Sequence, residues 1–236
     1  MTEPAPSPSR LRLLLEFTIL VGLWFLLKFA LDAYIWRYSG PVSLAIILVL
    51  TFFYLRWRGR PLSWIGLVPL KSAGNRLLLL PQFLLAVIVM GAVGAGINFG
   101  GAALGLAFME PDLAAAENRF GDLAGNMSAY LTWLAIIWFA GPAEELFFRG
   151  FMIGQLREIL GRSRWATVCS ILIPAILFGV GHIYYQGLRG LIVTGSVAAA
   201  LGILFILYKR NIWPLALAHA AINSFSFTAM YMQWDI

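Results

Sequence analysis

Stretches of about twenty residues with almost no charge recur along this 236-residue chain, and they leave it few folds. Such a segment has no water to pair its backbone N–H and C=O groups in hydrocarbon, so it must close its hydrogen bonds internally, as a helix. Hydrophobic residues make up 61% of the sequence and charged residues 12%. Soluble domains average about 25% charged residues. The chain therefore reads as an all-α, polytopic integral membrane helix bundle.

The apolar segments predict about seven transmembrane helices, near 13–36, 41–55, 77–108, 128–160, 165–182, 188–208 and 213–232. The fourth is too long for one straight span and predicts a kink at Gly141-Pro142. Gly91, Gly94, Gly96 and Gly100 predict close helix packing along the third. Arg12 with Glu16, and Lys28 with Asp32, are i,i+4 pairs near the ends of the first, where long side chains can snorkel. The segment 56–76, with Arg58, Arg60, Lys71 and Trp64, reads as interfacial. Residues 1–12 are proline-rich and too polar for the apolar part of a signal peptide, so they read as a disordered tail before a single transmembrane domain, 13–236. The lone Cys169 permits no intrachain disulfide, and its apolar setting predicts a buried, unreactive thiol.

The net charge of +6 comes from short basic clusters between apolar segments, as in cytoplasmic loops, and is not a nucleic-acid signal. With seven spans, Arg10, Arg12, the 56–76 and 157–164 segments, Lys209 and Arg210 share one side. The acidic 110–126 loop and Asp235 share the other. This predicts a cytoplasmic N-terminus in a multi-pass protein of the cell (plasma) membrane.

Polar groups inside the apolar segments are costly, and they are functional-site candidates by default. Glu144 and Glu145 are adjacent, so on a helix they point about 100° apart. Glu145 shares a face with Arg149, acid before base, which predicts a structural pair. Glu144 is left unpaired and able to act on water. Pro142 fits the first turn of a restarted helix. Phe178 with His182, and His219 with Asn223, repeat the i,i+4 spacing. An imidazole and an amide one turn apart could bind a water, a metal or an oxyanion. Singly, each piece has a plainer reading: an ion pair, an interhelical hydrogen bond, an interfacial histidine, packing glue. Residue counting places His182 near the outer end of its helix, Glu144 midway along its own and His219 nearer the inner end, so convergence demands tilts or breaks. Gly179, Gly181 and Gly141-Pro142 are the candidate places.

Taken in order, Glu144-Glu145-x-x-x-Arg149, Phe178-x-x-x-His182 and His219-x-x-x-Asn223 resemble the signature of the CPBP family, the CAAX-protease and bacteriocin-processing (Abi) intramembrane proteases. That family includes the type II CAAX prenyl endopeptidases. The resemblance is strong over about 128–225, the expected catalytic region, and weaker around Trp64-Ile65-Gly66-Leu67. It implies an all-helical membrane fold that hydrolyses a peptide bond of a membrane-associated protein or peptide, with CAAX proteins as one substrate class and membrane lipid as surroundings. By motif position it implies Glu144 as general base, His182 as its partner on the water, and His219 with Asn223 as the oxyanion site. Glu145, Arg149 and Phe178 are implied as supporting residues.

The family is named among metalloproteases and is also described by a metal-free glutamate mechanism. A catalytic zinc (Zn2+) takes three protein ligands and keeps one open position. His182, His219 and one Glu could supply them, but no His-Glu-x-x-His pair preorganises them. The expectation is no cofactor, with zinc on His182 and His219 as the alternative. Two other functions compete: a non-catalytic membrane scaffold or bacteriocin-immunity factor on the same fold, and a small transporter with a Glu/His proton relay.

Overall fold

The computed structural model describes residues 8–71 and 73–234, which form helices and no strand. In chain order they are α1 (Arg10–Ile35), α2 (Ser39–Trp57), a 3-10 turn (Leu62–Ile65), α3 (Ala73–Ala103), a second 3-10 turn (Ala107–Met109) and α4 (Leu113–Phe120). There follow α5 (Met127–Glu144), a π-helical segment (Glu145–Ile153), α6 (Gly154–Leu160), α7 (Arg164–Leu207) and α8 (Trp213–Met232). Residues 1–7, most of the expected disordered tail, and Asp235, counted above on the acidic side, lie outside the described residues. The first helix already begins at Arg10, where the Ser9 hydroxyl accepts from Arg12 N at 3.3 Å.

The protein is an all-α integral membrane bundle. Five helices among the described residues are long and apolar enough to cross a membrane: Arg10–Ile35, Ser39–Trp57, Arg76–Ala103, Met127–Leu160 and Arg164–Leu207. These five do not confirm the expected count of seven, for two reasons. The fifth and sixth expected spans lie within the single 44-residue run of α7, which is broken only at Gly187 (φ 59°, ψ −154°). A Cβ on Gly179 would meet the Leu191 carbonyl oxygen at 2.6 Å, and one on Gly195 the Ala175 carbonyl oxygen at 3.4 Å, so the two arms fold back as an antiparallel hairpin. The seventh, α8, is 20 residues long, but His219, Asn223, Ser224, Ser226 and Thr228 make it too polar to stand among the five.

The long fourth segment changes its winding three residues beyond Pro142. Helix α5 continues through Gly141 and Pro142, and the winding changes at Glu145, where the backbone goes over to π form. Beneath that segment lies the stretch read as interfacial. Ile65 is fully buried, and a Cβ on Gly150 would clash with its carbonyl oxygen. Ile212 N donates to Gly66 O at 3.0 Å, which ties the same stretch to the α7–α8 connection. On the other side, Gln155 Nε2 donates to Leu13 O (3.2 Å) and to Tyr54 Oη (2.9 Å), while Arg60 pairs with Glu158. A buried polar hub thus joins α1, α2 and α6.

Three smaller expectations fail. The glycines of α3 do not carry close packing: Gly91, Gly96 and Gly100 have open space where a Cβ would stand, and Gly94 meets only Val197 at 4.0 Å. The face of α3 that packs on α7 and α8 is built instead around Ala86 and Met90. Lys28 does not snorkel; it is 4% exposed and bonds Asp32 at 2.8 Å. Cys169 is exposed on α7 rather than buried, because the outer face of that arm meets no other helix.

These contacts predict opposite outcomes for two glycines. Gly150→Ala drives a methyl into a backbone carbonyl, and overpacking of this kind costs about 1–3 kcal/mol. Gly96→Ala adds a methyl to open space and removes backbone freedom from a helix, a gain of roughly 0.5–1 kcal/mol. Thermal unfolding in detergent should show a lower Tm for the first and an unchanged or higher Tm for the second.

Candidate active site

Helices α5 and α8 run antiparallel and touch closely. A Cβ on Gly141 would lie 3.2 Å from Ala220 N, and Tyr130 Oη bonds Thr228 Oγ1 at 2.8 Å. This register sets His219 against the end of α5. His219 Nδ1 lies 2.8 Å from Glu145 Oε1, and its Nε2 lies 3.5 Å from Glu144 Oε2. One imidazole therefore bridges two adjacent glutamates, with a different ring nitrogen on each.

The two carboxylates differ in access. The Glu145 side chain is fully buried, whereas that of Glu144 keeps 19% of its surface. Glu145 also meets Arg149 Nη1 at 3.0 Å, the i,i+4 pair read from the sequence. That contact is ionic and not an aligned hydrogen bond. Both terminal nitrogens of Arg149, and Glu145 Oε2, remain buried with no hydrogen-bond partner among the described residues. The second support of Arg149 is aromatic: its Cζ stands 5.0 Å over the Phe178 ring.

Phe178 is the plate that joins its own motif, with His182, to the other two. Its ring lies 4.9 Å from Phe148, 4.6 Å from His182 and 6.2 Å from His219. His182 donates through Nδ1 to the Phe178 carbonyl oxygen at 2.8 Å. A carbonyl only accepts, so the proton sits on Nδ1 and Nε2 is left as the acceptor. Because Phe178 packs against Phe148 and Arg149, four residues back along the π segment and four forward along α7 bring His182 level with Glu144 and Glu145. The depth mismatch found by residue counting is removed by this antiparallel register, with no break at Gly179, Gly181 or Pro142.

The structure brings together Glu144, Glu145, Arg149, Phe178, His182 and His219. It does not join Asn223 to them: the half-buried amide, one turn beyond His219, takes no hydrogen-bond partner among the described residues. Sequence reasoning missed the Glu145–His219 bond, because residues 74 apart carry no local signal of contact. It also missed Tyr185, whose ring lies 5.8 Å from that of His182.

A zinc on His182 and His219 does not fit this arrangement. Among the described residues no three His, Cys, Asp or Glu side chains are grouped to hold a metal. Nδ1 of each histidine is engaged, by Glu145 and by the Phe178 carbonyl, which leaves Nε2 as the ring nitrogen either could offer, and no third ligand is grouped with them among the described residues.

Breaking one partner of a buried ion pair costs about 3–5 kcal/mol because the other charge is stranded. Arg149→Ala should therefore lower accumulation in membranes, and Glu145→Ala should lower it further, since it strands Arg149 and frees His219. The double variant should recover stability relative to the sum of the single losses, but not the orientation of His219. A double-mutant cycle on detergent-stable protein measures the coupling, and strictly additive losses would show that the pair is not a unit.

The geometry agrees with an independent comparison. Residues 126–225, which contain all three motifs, match the family model described as "Type II CAAX prenyl endopeptidase Rce1-like". No curated protein and no solved structure matches the chain. The match supports a CAAX-type intramembrane endopeptidase in general terms, and over residues 126–225 the chain is similar to the CPBP, or CAAX-protease, family.

Proposed function

We propose that the protein hydrolyses a peptide bond of a membrane-associated protein or peptide, with water activated inside the bilayer and CAAX-type processing as the specific case. The observation that carries this reading is the unequal treatment of two adjacent acids. Glu144 is partly open and faces His219 Nε2, while Glu145 is closed off and holds His219 Nδ1. In this reading Glu144 takes a proton from water, the hydroxide attacks the scissile carbonyl, and Glu144 returns that proton to the leaving nitrogen as the C–N bond breaks. The bare Nε2 of His182 accepts a hydrogen bond from the same water. His219, as an imidazolium between the two carboxylates, donates from both nitrogens: Nδ1–H to Glu145 and Nε2–H toward the developing oxyanion. Asn223, one turn on, adds a second donor there. Arg149 and Phe178 keep Glu145 and the two histidines in place. The basic residues Arg10, Arg12, Arg58, Arg60, Lys209 and Arg210 support a cytoplasmic N-terminus at the cell membrane.

Glu144→Gln keeps the shape of the side chain and removes its basicity, so it should abolish cleavage while the protein still accumulates in membranes. Membrane proteomics that compares wild type with this variant should find the missing product, and near-normal turnover in the variant would overturn the assignment. Asn223→Ala should lower the rate by about 10²–10³, the usual cost of one oxyanion donor. Activity should also survive exhaustive chelation. Zinc that is lost and restored together with activity would recast His182 and His219 as ligands.

A further inference from the structure

A second polar cluster lies beside the site. Arg119, near the end of α4, is only 3% exposed, and its Nη1 donates to Ser39 Oγ at 3.3 Å. That hydroxyl in turn donates to Asp32 Oδ1 at 2.5 Å, and Asp32 is held by Lys28 Nζ at 2.8 Å. Arg119 therefore reaches the only nearby carboxylate through a hydroxyl and forms no direct ion pair among the described residues. Its guanidinium sits among the rings of Trp36 (4.9 Å), Tyr184 (5.2 Å) and Tyr185 (5.8 Å), and Lys28 Nζ lies 3.2 Å from the Tyr184 ring. Trp36 Nε1 is buried without an acceptor among the described residues. Two enclosed cations share one anion, and donors in the cluster are left without acceptors. Low-dielectric surroundings make such an excess of positive charge expensive until an anion joins it.

We infer that this cluster is an anion subsite that receives one carboxylate of the substrate. The inference rests on the peptidase reading, which supplies a peptide in the neighbouring site. The Tyr185 ring is 5.8 Å from the His182 ring and 5.8 Å from Arg119 Cζ. Guanidinium and imidazole are thus no more than about 12 Å apart, the reach of an extended segment of about four residues. A guanidinium presents paired donors that match a carboxylate. A single negative charge balances the cluster, and Asp32 opposes a second. Aromatic rings close round the guanidinium, which favours a small planar group over a bulky headgroup phosphate. The carboxylate comes either from a chain terminus or from an acidic side chain.

The test uses full-length protein carrying Glu144→Gln, so that binding is read without turnover. The probe is a dansyl-labelled, N-palmitoylated apolar tetrapeptide in three forms: free acid, C-terminal amide, and amide with one internal Glu. We expect one carboxylate form to bind at least ten-fold more tightly than the neutral amide. That difference should vanish on Arg119→Gln and be partly kept on Arg119→Lys. Which form wins identifies the source of the carboxylate. Equal binding of the three forms overturns the proposal, and so does an equal loss for all three on Arg119→Gln, the mark of a structural latch. A preference that follows the phosphatidylglycerol content of the bilayer instead of the peptide assigns the cluster to lipid and also overturns it. Selective binding by a protein whose Glu144 form cleaves nothing would leave the subsite standing and sink the peptidase reading.

Discussion

A carboxylate shut away from water governs this structure. Glu145 sits at full burial in a bundle that is otherwise mostly hydrocarbon, and such a charge persists only where the protein supplies its counter-groups. Two supply them from two elements. Arg149 answers from the same π segment, and His219 answers from α8. Each is then constrained in turn. Arg149 is pinned over Phe178, and His219 cannot rotate without losing Glu145. Because Phe178 also positions His182, the demand of one acid fixes parts of three helices relative to one another. Glu144, next in the chain, inherits a fixed place without sharing the burial.

The exchange of α-winding for π-winding belongs to the same constraint. A π segment is rare and marks functional sites in many helices. Here it begins at the first of the enclosed side chains and runs through the stretch where Gly150 lies directly on the Ile65 carbonyl. The loop before α3 acts as a floor for the segment, and the α7–α8 connection is tied to that floor through Ile212 and Gly66. Elements far apart in sequence are thereby locked beneath the polar centre.

Much of the site is legible in the residues because its motifs are local. The i,i+4 spacings of Glu145 with Arg149 and of Phe178 with His182 survive into the structure as an ion contact and a backbone hydrogen bond. What could not be read is what depends on register between helices. Nothing in the spacing ties Glu145 to His219, and nothing warns that Lys28, near a helix end, turns inward toward Tyr184 and Arg119. Glycines misled for a related reason. A small residue permits close approach but does not create it, so the α3 glycines face open space while Gly141, Gly150 and Gly179 take the contacts. The boundary expected between the fifth and sixth spans falls at Gly187, where one residue in an unusual conformation reverses the chain in place of a polar loop.

A single glycine separates the arms of α7, so their apolar faces meet directly across the turn. The two arms therefore form one packed unit within the bundle. Near its tip Arg189 Nε donates to Asn98 Oδ1 of α3 at 3.0 Å. That bond fixes the tip of the hairpin against α3, so the reversal of the chain and the helix beside it are held as one piece.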